Sequence, residues 1–392
     1  MIQTISKSFE MAEETEVIRD TVLAPPKQRI QDFKKYTIAH KLLKETYESV
    51  LEGVLDVAGA QLILVIGPTG VGKSTLRRRL VVQLIEDAMK EMEEDPGIFP
   101  AVSVDAIAPE TGNFSWREHY RRSLVAMNEP LIDYKVSPPG KRKIAPTEIG
   151  STLLSDRKTS DLRWALEEAL RRRRPRAFII DEAQHLAKMA SGRKLLDQMD
   201  CIKSLAETTD IVHVLFGTYD LASFRNLSGQ LSRRSINLHF SRYRADNPEH
   251  LRIFKKIILT FQERMPLQEQ PDLVPHWEFF YEQSVGCVGI LKDLLCRAVA
   301  FALQHGLPTL TLADVKRRAF SLSQCERIAR EIEEHEREFI EPESRHTEFR
   351  KLIGLHSENS DKMKPQPSTP KRQRVGLRNA VRDRVGIPDD DE

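Results

Sequence analysis

The 392-residue sequence predicts an α/β fold: a three-layer domain on a five-stranded parallel sheet, then a small all-helical domain and a polar tail. Three observations carry this. Short apolar runs, bounded by turn residues and too short for buried helices, alternate with helical patterns up to about residue 245. Beyond that point helical spacing continues alone to about residue 340. After residue 357 the chain turns Pro-, Ser- and charge-rich. Strand–helix alternation of this kind places helices on both faces of a mostly parallel sheet.

Taken in order, residues 1–29 are polar and end near Pro25-Pro26, which predicts a loosely ordered arm. Residues 36–57 carry Leu43, Tyr47, Val50, Leu51 and Val54 at helical spacing. Leu62 to Ile66 is a continuous apolar run followed at once by Gly-Pro, a strand covered on both faces. A helix from Ser74 to about Glu94 is expected to bury Leu76, Leu80, Leu84 and Met92 and to expose Arg77, Arg78 and Arg79. Strands follow at 101–104, 178–180, 211–216 and 236–240, with helices near 116–127 and 161–174 between them. The α/β domain therefore spans 30–245. The helical domain spans 246–340, with helices at 248–264, 271–284, 287–305 and 311–339 and Thr311 as a cap. Residues 341–392 are expected to be disordered unless bound: 362–384 hold eight Lys/Arg and one Asp, and the chain closes on Asp389-Asp390-Asp391-Glu392.

Composition narrows the function classes. Apolar residues make up 40% and charged residues 30%, as in a globular protein with a charged surface. No apolar run approaches the roughly 20 residues of a membrane span, and residues 1–20 lack the apolar core of a secretory signal. Cys201, Cys287, Cys296 and Cys325 form no CxxC pair, so free thiols in a reduced cytoplasm are expected. The net charge of +2 does not announce nucleic acid; local clusters carry that question.

The chemistry begins at GPTGVGKST, Gly67, Pro68, Thr69, Gly70, Val71, Gly72, Lys73, Ser74 and Thr75. It fits GxxxxGK[ST] between an apolar strand and an amphipathic helix. Backbone N–H groups there cradle phosphates, Lys73 sets a cation on their oxygens, Ser74 offers a hydroxyl to Mg²⁺, and the helix adds its positive end. ATP and Mg²⁺ are the expected cofactors. The second half is FIIDEAQHL: Asp181 ends a strand as a candidate metal carboxylate and Glu182 is placed to polarise an attacking water. An acidic doublet at a strand end fits transfer to water better than a small-molecule kinase. Gly217-Thr218 ends the next strand, where Thr218 either reaches the γ-phosphate or lytic water, or simply caps a turn. Arg233 and Arg234 precede the fifth strand and read either as a solvated pair or as a finger acting on a neighbouring subunit's nucleotide.

This order of motifs resembles the initiator-like branch of the AAA+ ATPases and, more narrowly, the TnsC/TniB transposition regulators related to MuB. The resemblance spans about residues 30–330 and is carried by Gly67–Thr75, IIDEAQHL, LFGTYDL, QLSRRSINL and GCVGILKDLLCRAVAFAL. It implies an AAA+ P-loop domain with a helical lid that assembles with itself on double-stranded DNA as an ATP-bound ring or filament. Such an assembly links a target-selection protein to a transposase and comes apart on hydrolysis. By resemblance, Lys73, Ser74 and Thr75 bind phosphate and metal, Asp181 the metal, Glu182 activates water, Thr218 senses the γ-phosphate, and Arg233 or Arg234 is the finger. The lid helix offers Lys292 where many relatives place a second-sensor arginine.

The family places DNA contacts on elements inserted after the second strand. Here that region holds Arg117, Arg121 and Arg122 on one helix, and Lys141, Arg142 and Lys143 on a loop. Contacts of this type are sequence-tolerant and salt-sensitive. The basic tail is a second candidate for DNA, transposase or adaptor. The run at 171–176, RRRRPR, ends a helix and reads as structural or as a subunit contact. Two other readings stay open: a helicase loader or origin initiator, and a signalling or remodelling ATPase that does not bind DNA.

Overall fold

The computed structural model describes residues 24–56, 60–108, 114–135, 159–187, 193–224, 235–339 and 343–355. Helices α1 (Pro26–Lys35) and α2 (Lys41–Leu55) precede strand β1 (Leu62–Ile66). Then come α3 (Lys73–Asp87), α4 (Met89–Glu94), β2 (Ala101–Asp105), α5 (Trp116–Ala126) and α6 (Thr159–Arg173). Strand β3 (Ala177–Asp181), α7 (Gln184–Ala187), α8 (Arg193–Thr209), β4 (Val212–Gly217) and β5 (Ser235–His239) complete the α/β domain. The helical region holds α9 (Pro248–Glu263), α10 (Trp277–Ser284), α11 (Val288–Gln304), α12 (Leu312–Lys316) and α13 (Leu322–Phe339).

The five strands form one parallel sheet in the order β2-β3-β4-β1-β5. Period-2 alternation splits its side chains between two cores. Leu62, Leu64, Ile66, Phe178, Ile180 and Leu215 face α5, α6 and α8. Ile63, Val65, Ile179, Val214 and Phe216 face α2 and α3, which supply Tyr47, Val50, Leu51, Leu76, Leu80 and Leu84. All five β1 residues are buried, which is why the sequence shows an unbroken apolar run there. A third core joins α1, α9, α10, α11 and α12.

Several boundaries differ from the sequence reading. The arm read over 1–29 ends earlier, because Pro26 opens α1. Proline suits that position, where its missing N–H would have no helical partner. Phe33 of α1 packs edge-on to Phe261 in the helical core. The helix expected over 74–94 breaks at Ala88, and Met92 is only half-buried. The helix expected over 311–339 also breaks, and its second part, α13, sends Ile332, Ile328 and Phe339 onto the α/β core. In the tail, Glu343–Leu352 is helical (α14); residues 356–392, where the basic stretch lies, are outside the described residues.

Candidate functional site

The site is built at the carboxyl ends of the parallel strands, where loops leave the sheet. The cradle runs from β1 into α3. Gly72 sits just before the helix with φ of +124°, and Gly70 has φ of +77°, conformations that side chains resist. Gly70 also has no room for one: a Cβ there would lie 2.5 Å from Ile290. The Gly289 N–H donates to the Gly70 carbonyl at 2.7 Å, so the amino end of α11 rests directly on the loop. Lys73 Nζ donates to the carbonyls of Gly67 (2.7 Å) and Pro68 (2.8 Å). Burial pushes its pKa down to about 8, against the opposing pull of Glu182 and Asp181. Val71 is buried, while Thr69 and Ser74 are exposed.

Strands β3 and β4 deliver the acidic half. Asp181 is buried; burial raises its pKa, opposed by a hydrogen bond from the Glu182 N–H and by Arg77. The Glu182 backbone has φ of +53°, uncommon for a residue with a side chain, and its carboxylate is exposed. That turn is pinned by Glu182 N–H to Asp181 Oδ1 at 2.9 Å and by Ala183 N–H to the Phe216 carbonyl at 2.8 Å.

Gln184, quoted in the sequence but given no role there, is buried and joins the two strand ends. Its Nε2 donates to Glu182 Oε2, and its Oε1 accepts from the Thr218 N–H at 3.2 Å. Arg77 is a second surprise. Instead of facing solvent, it pairs with Asp181 (Nε to Oδ2, 3.2 Å) and with Asp105.

A cavity of about 400 Å³ adjoins the cradle at Thr75. Thr37, Ile38 and Ala39 form one wall and Arg78, Arg79 and Val82 the other. The sequence pattern places 36–40 within a helix over 36–57, but α2 begins only at Lys41 and 36–40 is not helical. Only its position, between one helix on the helical core and another on the sheet, marks it.

Residues 57–224 match the family model of the AAA domain. That stretch is an AAA-type P-loop domain. The strand order, with the cradle after β1, the acidic pair after β3 and Gly-Thr after β4, is that of the AAA+ fold. Among solved structures, the chain is similar to the ORC2 protein of Aeropyrum pernix, described in ADPNP-ADP complexes, at 18% identity and a TM-score of 0.46. That match covers 72% of this chain and 66% of ORC2, just under two thirds of its length. It is similar to Cdc6p of Pyrobaculum aerophilum at 15% identity and a TM-score of 0.45, covering 73% of this chain and 69% of that one. A Walker-type ATPase of Pyrococcus abyssi aligns at 17% identity and a TM-score of 0.44, with 75% of each chain covered. No curated protein matches the sequence.

The remaining predicted residues fall in three places. Lys292 Nζ donates to the Lys34 carbonyl at the end of α1, while Gly289 and Ile290 stand at the AAA domain's cradle. Arg121 and Arg122 are exposed on α5 and paired with Asp133 (3.5 Å) and Glu118 (2.7 Å); Arg117 is exposed on the same helix. Arg233, Arg234, Lys141, Arg142 and Lys143 lie outside the described residues. Among the described residues no helix is long and apolar enough to cross a membrane, and the four cysteines are free thiols.

Proposed function

We propose that this chain is an ATP-hydrolysing AAA+ regulator of DNA transposition that assembles on double-stranded DNA. The ATPase part is carried by one observation: Asp181, Glu182 and Thr218 stand at neighbouring strand ends, Gln184 links Glu182 to the Thr218 N–H, and both acids act on Lys73. In this reading Lys73 and the backbone from Gly67 to Thr75 hold the phosphates, and the cavity at Thr75 takes the base. Glu182 accepts a proton from the attacking water and Thr218 reads the γ-phosphate. Lys292 would reach the nucleotide only by leaving the Lys34 carbonyl. Arg233 or Arg234 serves a neighbouring subunit.

The residues fit Mg²⁺. Ser74 and Asp181 are hard oxygen donors, and the buried carboxylate already faces a cation. No cluster of three metal-ligating side chains occurs among the described residues. That suits an ion held by one carboxylate, a hydroxyl and substrate phosphates. Bound there, the metal would supply charge neutralisation on the phosphates.

The transposition and DNA parts rest on the resemblance in motif order and on the basic residues 117, 121, 122 and 141–143. Target-selection and transposase proteins are the partners this implies. The test is anisotropy of a labelled random-sequence duplex with ATP, ADP and Glu182→Gln across a salt series. Binding that needs ATP, strengthens in Glu182→Gln and weakens steeply with salt is expected. No binding in any nucleotide state at low salt overturns the DNA part and leaves the ATPase part standing.

A further inference from the structure

Arg77, Arg78 and Arg79 are consecutive, yet they part company. Arg78 and Arg79 line the cavity at Thr75, while Arg77 turns to the carboxyl end of the sheet. Arg77 lies three residues beyond Ser74, on the same face of α3. Its guanidinium spans the ends of β2 and β3, whose register sets Asp105 directly opposite Asp181. It also meets Ser103 Oγ at 3.4 Å.

The two acids are unequal. The Asp181 side chain is 6% exposed and the Asp105 side chain 64%. Both Asp181 oxygens are engaged, Oδ1 by the Glu182 N–H and Oδ2 by Arg77 Nε. A divalent cation reaching Asp181 therefore meets a carboxylate that already has a positive partner, and two cations repel at this range. Arg77 has somewhere to go: a second nitrogen of the same planar fork is already on Asp105, toward solvent.

We infer that Arg77 is a positioning residue that competes with the divalent cation for Asp181, and that Asp105 sets the balance by drawing the guanidinium aside. The inference rests on the nucleotide reading above. A purely structural tie between α3 and the sheet makes a different prediction, because loss of either partner would then weaken the site in the same direction.

The experiment measures binding of a fluorescent ATP analogue against magnesium chloride concentration, with a parallel titration in EDTA. Arg77→Gln is expected to lower the half-saturating Mg²⁺ by about threefold or more, the scale of a partly exposed ion pair. Asp105→Asn is expected to raise it by about as much, because Asp181 is then the one carboxylate left to Arg77. Shifts in the same direction, or no shift in either variant, overturn the inference. Should Arg77→Gln fail to fold, Asp105→Asn carries the test, since its side chain is largely in solvent; an unchanged or lowered Mg²⁺ requirement there is fatal. Wild-type protein that binds no nucleotide with or without Mg²⁺ overturns the nucleotide reading and this inference together. Nucleotide binding with unchanged Mg²⁺ dependence in the variants overturns this inference alone.

Discussion

At the amino end of β3, five arginines within residues 171–176 meet acids drawn mostly from the surface around them. Arg171 and Arg172 pair with Glu168 on their own helix, Arg173 with Glu129, Arg174 with Asp95, and Arg176 with Glu91. At the carboxyl end of the same sheet the charges are fewer and come from separate elements: Lys73 and Arg77 on α3, Asp105 ending β2, Asp181 ending β3 and Glu182 just after it. The first group is a row of local ion pairs, in which two acids each serve a second cation; the second is a network in which Asp181 answers to Arg77, Glu182 and Lys73 at once. Density of charge along the chain therefore marks the structural end, and convergence from distant positions marks the candidate site.

The sharpest way to break this comparison is to remove one charge from each end. Glu182→Gln is expected to lower ATP hydrolysis roughly 100-fold or more, the usual cost of losing a proton acceptor, with nucleotide affinity held or raised. Arg174→Ala, across the sheet, is expected to leave hydrolysis within about twofold, since it touches only an exposed acid. Phosphate release assays on both proteins check this. A comparable loss in the two variants would mean the ends are not independent.

Acid tests three buried histidines that neither charge group includes. His213 and His119 lie on either side of Phe178, buried under the amino half of the sheet, and His40 is buried where α2 meets Tyr243. Burial pushes each imidazole down to about 4. A proton therefore binds the unfolded chain, at an ordinary pKa near 6.5, before it binds the folded one. The stability these groups contribute is complete above pH 6.5 and is lost as pH falls from there toward 4, by up to about 3 kcal/mol per buried imidazole. Denaturant midpoints at pH 7.5, 6 and 5 should fall progressively. His213→Gln, which removes one such group, should flatten the slope even if it lowers the plateau.

Gln184 sharpens the comparison within the candidate site. Gln184→Leu keeps much of the side-chain volume but removes the link between Glu182 and the Thr218 N–H. The expected result is a kcat about tenfold lower with KM changed less than about threefold, because in the proposed mechanism the residue orients Glu182 and does not hold the nucleotide. Gln184→Glu should not rescue it, since a second carboxylate beside Glu182 repels. An equal rise in KM would assign Gln184 to binding instead.

The sequence was legible wherever the structure depends on residues close together in the chain. The cradle, the Asp181-Glu182 pair and the all-buried strands carry local signals of spacing, glycine and apolar run. Helix α1 was not legible, because Pro25-Pro26 looks like the end of an arm until Phe33 is seen against Phe261. Arg77 was hidden for a related reason. Its neighbours Arg78 and Arg79 make the run look like a solvated face, and its partners lie 28 and 104 positions further along the chain. The cavity wall at 36–40 falls inside a stretch that reads as helix, yet it is not helical; it is defined by what α1 and α2 pack against.

The smallest expected effect tests whether the arginine run is uniform. Arg173 is unlike its neighbours: it donates to Glu129 at 3.0 Å and to the Gly97 carbonyl at 3.3 Å, and Lys135 shares the same glutamate at 2.8 Å. The Phe99 N–H also bonds the Arg173 carbonyl, tying the approach to β2 to the end of α6. The Arg173 side chain is 27% exposed against 61% for Arg174, so solvent screens it less. Arg173→Ala is expected to cost about 1 kcal/mol of stability and Arg174→Ala close to zero, each read from urea midpoints at low salt. Raising the salt should narrow the gap, because screening acts on the charge part and leaves the hydrogen bond to Gly97 in place. Equal costs would mean that the run acts as one basic patch, and the contrast between paired and networked charge would then hold only at the site.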